Sequence, residues 1–255
     1  MNNFKNRNTS LVFFGLLICL LVPFFSVFSK PNMIVIMCDD LGYADVGFNG
    51  CKDILTPNID SIAGNGVRCT DGYVAYPVCG PSRAGFMTGR YPQRFGFERN
   101  PQYKPHDPEM GLTREEKTIP ELLKPAGYHS GIIGKWHLGA HIPTSHPMKR
   151  GFDEFYGHLG GGHTYFPDNL TIERSQDAEN ESESYRTWLL HNYVPVPPRK
   201  YLTDDFSDEA VAFVKRNRDW PFFLFLSYNA PHGPLEATEK YLNRFPKIMD
   251  KKRKT

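Results

Sequence analysis

The chain has 255 residues, of which 40% are hydrophobic and 14% aromatic, and a formal charge of +2. That is enough apolar chain for one sizeable α/β domain with a full core, or for part of a larger one, and disorder is not its main theme. Without Lys5 and Arg7 the 30 basic residues fall to 28, equal to the 28 acidic ones; a neutral remainder excludes a polyanion-wrapping surface, and no nucleic-acid partner is expected.

Residues 1–29 read as a signal peptide. Lys5 and Arg7 precede the apolar run Leu11 to Val22, and Val27 and Ser29 are small-residue positions before a cut at Lys30. The run is short for a bilayer span, so an exported protein, periplasmic or secreted, is expected, with no stable membrane insertion after cleavage. Cys38, Cys51, Cys69 and Cys79 would then sit in an oxidising setting, where disulfides are one possible fate.

Met33 to Cys38 is a continuous apolar run, expected of a parallel strand buried on both faces, and it stops at Asp39-Asp40-Leu41-Gly42. Two adjacent carboxylates at the end of a core strand need a cation nearby, which favours metal ligation over a solvated turn. Thr56-Pro57 opens a short helix that runs to Gly64. Val67 to Tyr73 is a short strand candidate. Cys79 stands at the mouth of a helix that ends at Gly89, with Pro81 as a first helical residue, so backbone N–H groups would face an anion there. Residues 100–113 read as a loop, and Thr118-Ile119-Pro120-Glu121 has capping-box spacing.

Tyr128 to Ile133 is a strand that ends at Gly134-Lys135-Trp136-His137-Leu138-Gly139. Residues 140–200 hold loops rich in Gly, His and Pro, including Gly160-Gly161-Gly162-His163, an acidic stretch from Asp177 to Glu183 and a glycosylation triplet at Asn169. Thr203 or Asp204 caps a helix whose Phe206, Ala210, Phe213 and Val214 share a face. Phe222 to Leu226 is a third buried strand, followed by Ser227-Tyr228-Asn229-Ala230-Pro231-His232. Three strands thus each end in polar groups, and the carboxyl ends of parallel strands line one crevice. Acids, bases, a nucleophile precursor and a helix N-terminus converging there suit a tetrahedral anionic ester, sulfate or phosphate.

Cys79-Gly80-Pro81-Ser82-Arg83 followed by Thr88-Gly89-Arg90 resembles the sulfatase signature C-x-P-S-R. The Asp39-Asp40, Thr56-Pro57-Asn58-Ile59-Asp60, Gly134 to Gly139 and Ala230-Pro231-His232 segments are similar to that family in the same order. The resemblance implies an alkaline-phosphatase-like α/β sandwich: a central, mostly parallel sheet with helices on both faces, incomplete at the C-terminus. It implies that Cys79 is converted to formylglycine by a formylglycine-generating enzyme, and that a calcium ion is held by Asp39, Asp40 and the modified Cys79. Arg83 would hold the aldehyde hydrate, one hydroxyl of which attacks sulfur. Lys135 and His232 would bind the sulfate and stabilise the leaving oxygen, and His137 would remove the proton whose loss expels sulfate.

The family also has a later Asp-Asn pair and a further lysine; after His232 the sequence carries no such pair, since Asp250 is followed by Lys251. Residues 30–255 are therefore expected to be the N-terminal part of a sulfatase catalytic domain, in a truncated chain. The expected function is hydrolysis of sulfate esters of carbohydrates or aryl alcohols. A phosphate or phosphonate ester hydrolase of the same superfamily and a non-catalytic sulfatase-like protein are the alternatives.

Overall fold

The structure, a computed structural model, describes residues 30–101, 110–140, 143–167 and 188–255. The signal peptide, the acidic stretch and the glycosylation triplet lie outside the described residues.

Among the described residues the strands are β1 (Met33–Asp39), β2 (His129–Lys135), β3 (Glu154–His158), β4 (Leu189–His191), β5 (Val194–Pro195) and β6 (Phe222–Pro231). They form one sheet in the order β1-β6-β2-β3-β4-β5. β1, β6, β2 and β3 are mutually parallel, and β4 and β5 are antiparallel additions beside β3. The strand latest in sequence thus lies between the first two. β6 reads Phe-Phe-Leu-Phe-Leu without alternation because both of its faces are covered. Phe223 and Phe225 turn to one face and Phe222, Leu224 and Leu226 to the other.

Helices cover those two faces separately. Helix α1 (Pro57–Gly64) lies in the sequence before α2 (Cys79–Thr88). Ala84 and Met87 of α2 pack into one core with Ile132, Trp136, Phe223 and Phe225. After α3 (Ile119–Leu123) comes α4 (Leu202–Asn217), whose Phe206 and Phe213 fill the opposite core with Ile133, Leu224 and Leu226. Each such aromatic, fully removed from water, contributes roughly 2–3 kcal/mol to holding its layer in place. The predicted mostly parallel sheet with helices on both faces is what the chain forms.

Several local expectations change. β1 is not covered on both faces: Ile34 and Ile36 are 48% and 52% exposed, while Met33, Val35 and Met37 pack inward. Its apolar run therefore has one face in a core and one in the open. Val67 to Tyr73 forms no strand; the segment is turn and irregular chain. Cys79 itself is the first residue of α2, so Pro81 is the third, still within the first turn where a missing N–H leaves no helical bond unmade. Gly89 ends the helix at φ 66°, in the left-handed region glycine tolerates. Tyr201 precedes α4, so neither Thr203 nor Asp204 is its cap. The capping box is present: Thr118 Oγ1 accepts from the Glu121 N–H at 3.4 Å and the Glu121 carboxylate accepts from the Thr118 N–H at 2.8 Å. Residues 140–200, read as loops, supply β3, β4 and β5.

Candidate active site

The carboxyl ends of β1, β6, β2 and β3 present Asp39, the Ser227–Pro231 stretch, Lys135 and His158. The register between β1 and β6 shifts between Met37 and Asp39, which sets Asp39 opposite Pro231. Asp40 follows at φ 63°, and His137, just past β2, adopts φ 59°. Left-handed backbone at a non-glycine residue costs about 1 kcal/mol, so two such residues at adjoining strand ends mark a place where side-chain direction outweighs backbone comfort. The β2–β3 ladder continues beyond β2: the Trp136 N–H donates to the His158 carbonyl at 3.0 Å and the His137 N–H to the Leu159 carbonyl at 3.2 Å. His137 is held against the sheet in this way.

Asp39 is 6% exposed and faces two buried cations. Lys135 Nζ donates to its Oδ2, and Arg83 Nη2 lies 3.4 Å from its Oδ1. Arg83 reaches across from the second turn of α2: Nη1 donates to the Lys135 carbonyl at 2.9 Å and to Ser227 Oγ, which itself donates to the same carbonyl at 2.7 Å. One serine hydroxyl thus ties α2, β2 and β6 together. Gly134 makes this contact possible, because a Cβ there would stand 1.9 Å from the Ser227 carbonyl oxygen. Burial pushes the Arg83 and Lys135 pKa values down; Asp39 opposes that in both, and the neighbouring guanidinium adds to it for Lys135.

His137 is buried, and desolvation followed by repulsion from Lys135 and Arg83 holds its pKa well below that of a free imidazole. It is a neutral base at pH 7. His232 Nδ1 donates to the Gly233 carbonyl at 2.7 Å, so Nε2 is the atom that faces Asp40, 3.8 Å from its Oδ2. Asp40 is itself 66% exposed. Cys79 Sγ contacts Asn100 Oδ1 at 3.5 Å, and that oxygen also accepts from the Gly80 N–H at 2.9 Å. None of Cys38, Cys51, Cys69 and Cys79 is in a disulfide. Among the described residues, no three or more His, Cys, Asp or Glu side chains are grouped to hold a metal ion.

The structure gathers Asp39, Arg83 and Lys135 in direct contact and sets His137, Asp40 and His232 beside them. Sequence reasoning passed over Ser227, Asn100 and His158. Ser227 lay within a segment already singled out, and its position directly after a core strand was the available signal. Asn100 had none, being one polar residue in a loop. His158 is fully buried next to Lys135 in the ladder, and its pKa is driven well down by burial and then by His163, Lys135 and Arg83.

A mostly parallel α/β sheet with acid, base and cation groups at its carboxyl edge and a cysteine opening the adjacent helix places the chain in the class of α/β proteins whose ligand crevice lies at the strand ends. The sulfatase family model matches residues 31–254, and the chain belongs to the sulfatase family. It is 38% identical over 223 residues to the N-acetylgalactosamine-6-sulfatase of Homo sapiens, an alignment spanning 83% of this chain and 41% of that protein. Over 137 residues it is 47% identical to the human steryl-sulfatase, covering 51% of this chain and 24% of the relative. The crystal structure of Ps i-CgsB in complex with k-i-k-neocarrahexaose is similar at TM-score 0.81 and 49% identity, over 88% of this chain and 50% of that one. The structure of BT4656 with D-Glucosamine-2-N, 6-O-disulfate matches at TM-score 0.65 and 27% identity, over 85% and 37%. The chain therefore spans half or less of the length of these proteins. The fold is the alkaline-phosphatase-like one of these sulfatases.

Proposed function

We propose that this chain carries the nucleophile half of a site that hydrolyses sulfate esters of carbohydrates. One observation carries the reading: two buried basic side chains, Arg83 and Lys135, share one buried carboxylate, Asp39, beside the helix that Cys79 opens. That balance leaves positive charge for a bound anion, and the N–H groups at the start of α2 add to it. The family and its named sulfatases favour sulfate over phosphate. A relative named N-acetylgalactosamine-6-sulfatase, with neighbours solved with a neocarrahexaose and a glucosamine disulfate, favours carbohydrate over aryl alcohol, against one shorter match to a steryl-sulfatase.

Cys79, as formylglycine installed by a formylglycine-generating enzyme and hydrated by water to a gem-diol, would supply one of its two hydroxyl oxygens to attack sulfur. Lys135 holds an anionic oxygen of the sulfate, and Arg83 orients the Cys79 turn through its bonds to Lys135 and Ser227. With Nδ1–H held by the Gly233 carbonyl, a doubly protonated His232 would give its Nε2 proton to the departing alcohol oxygen as the S–O bond to it breaks. His137, neutral at working pH, accepts the proton that must leave the second hydroxyl for sulfate to depart. Asp39 and Asp40 are hard oxygen donors of the kind calcium prefers, and an ion there would neutralise charge on the sulfate oxygens. They are two of the six to eight oxygens such an ion takes.

Residues 1–29 act as the export signal and residues 30–255 as part of the catalytic domain. Among the described residues no helix is long and apolar enough to cross a membrane. The test is mass spectrometry of the Cys79 peptide after co-expression with a formylglycine-generating enzyme, together with sulfate release from a sulfated galactoside. Aldehyde at Cys79 and turnover that Cys79→Ala lowers by at least ~10³-fold are expected. An unmodified thiol, or a Cys79→Ala chain that retains turnover, overturns the proposal.

A further inference from the structure

Next to the strand-end cluster lies a cavity of about 580 Å³ that none of the groups above occupies. That volume falls within the roughly 300–1,000 Å³ typical of small-ligand sites. Its wall includes Phe97, Asn100, Met110, Leu112, Arg99 and Arg114. Asn100 belongs to both places: its Oδ1 touches Cys79 Sγ and the Gly80 N–H, while the residue lines the cavity. Gly80 admits it, since a Cβ at that position would stand 2.8 Å from Asn100 Oδ1. The cavity therefore begins one side chain away from the sulfur.

Its lining divides by chemistry. Phe97, Met110 and Leu112 are buried and give an apolar floor suited to the C–H face of a sugar ring. Arg99 and Arg114 are exposed at its edge, and no ion pair among the described residues takes up either guanidinium. Among the described lining residues Glu115 is the one carboxylate beside the two arginines, so their formal charge favours an anion by one unit. A guanidinium offers a planar fork that matches sulfate or carboxylate oxygens two at a time.

We infer that this cavity is a subsite for the sugar next to the one carrying the scissile sulfate, and that Arg99 and Arg114 bind a second anionic group, sulfate or carboxylate, on that neighbouring sugar. The inference rests on the sulfatase reading and deepens it: the preferred substrate is an oligosaccharide with anionic groups on adjacent sugars. Asn100 separates the two compartments, with its amide oxygen turned to the Cys79 turn.

Binding, not turnover, tests it. The full chain bearing Cys79→Ala is titrated calorimetrically with three galactan tetrasaccharides, one with a single terminal sulfate, one with a second sulfate on the adjacent sugar, and one with a uronate carboxylate there. The second anionic group should tighten binding at least ~10-fold, the size of a charge-assisted contact. In Arg99→Gln/Arg114→Gln the ratio should fall to within about twofold, and Arg99→Lys/Arg114→Lys should keep part of it. Whichever of sulfate and carboxylate gives the larger ratio identifies the group. No preference in the parent, or a preference that survives the Gln pair, overturns the subsite. Failure of the sulfatase reading would look different: the chain with a converted Cys79 would release no sulfate from the singly sulfated tetrasaccharide, whatever the binding ratio.

Discussion

Two buried arginines, Arg83 and Arg150, stand in different parts of the molecule, and the contrast separates scaffold from chemistry. Arg150 donates to the carbonyls of Leu112 and Glu116 at 2.8 and 2.6 Å and lies 3.6 Å from Glu121. Its charge is spent on pinning the chain between Leu112 and Glu116. Arg83 also donates to a carbonyl, that of Lys135, but must share Asp39 with the Lys135 ammonium. A guanidinium surrounded by acceptors is an anchor. One crowded against a second cation around a single carboxylate is poised for an anion.

The contrast can be broken or sharpened by substitution. Lys135→Met should lower sulfate release by about 10²–10³-fold, the usual cost of removing one group that stabilises developing charge. Its melting temperature should hold or rise, because Arg83 and Asp39 are then left as a balanced pair. A large loss of stability in that variant would mean Lys135 is an anchor after all. Arg150→Met should behave in the opposite sense, losing about 3 kcal/mol in denaturant unfolding as buried carbonyls lose their donors.

Acid gives the next largest effect. His137, His146 and His158 all have pKa values below that of an exposed imidazole, and burial is the leading cause in each; His146 is lowered to about 4. The unfolded chain therefore takes up protons, near pH 6.5, that the folded chain refuses. Stability is full above that pH and falls as the solution is acidified toward the folded-state values. For His146 alone the loss at pH 5 is on the order of 1–2 kcal/mol. Thermal melts at pH 7.5 and pH 5 would show it, and a flat profile would contradict the burial assigned to these rings. Ser227→Ala is expected to have the smallest effect, about 1 kcal/mol of stability from the lost bridge between α2, β2 and β6, with turnover reduced as Arg83 loosens.

Much of the site was legible in residue order. Asp39-Asp40, Cys79 to Arg83, Lys135, His137 and His232 each follow or open a regular element, and strand ends of one parallel sheet must meet. The depth of each group was not legible. Nothing in Met33 to Cys38 says that Ile34 and Ile36 face outward, because an apolar run looks the same with one face covered or two. Val67 to Tyr73 has strand-like composition but pairs with no strand among the described residues, so tertiary context prevails. β3 was hidden because Glu154-Phe155-Tyr156-Gly157-His158 is too short and too mixed to show a period, yet its Gly157 lies so close to β2 that a Cβ would be 2.0 Å from the Gly134 carbonyl oxygen.

The position of β6 between β1 and β2 has a consequence in time. Arg83 and the serine that seats it, Ser227, are separated by 144 positions. At about 5–20 residues per second, ribosomal synthesis leaves an interval on the order of ten seconds between the emergence of the two. During that interval the Cys79 turn has its helix-forming sequence but not the β6 strand against which α2 packs. If Cys79 is converted as proposed, the modifying enzyme would meet a pliant peptide during that interval and a buried helix after it, so strand order would set the deadline for modification.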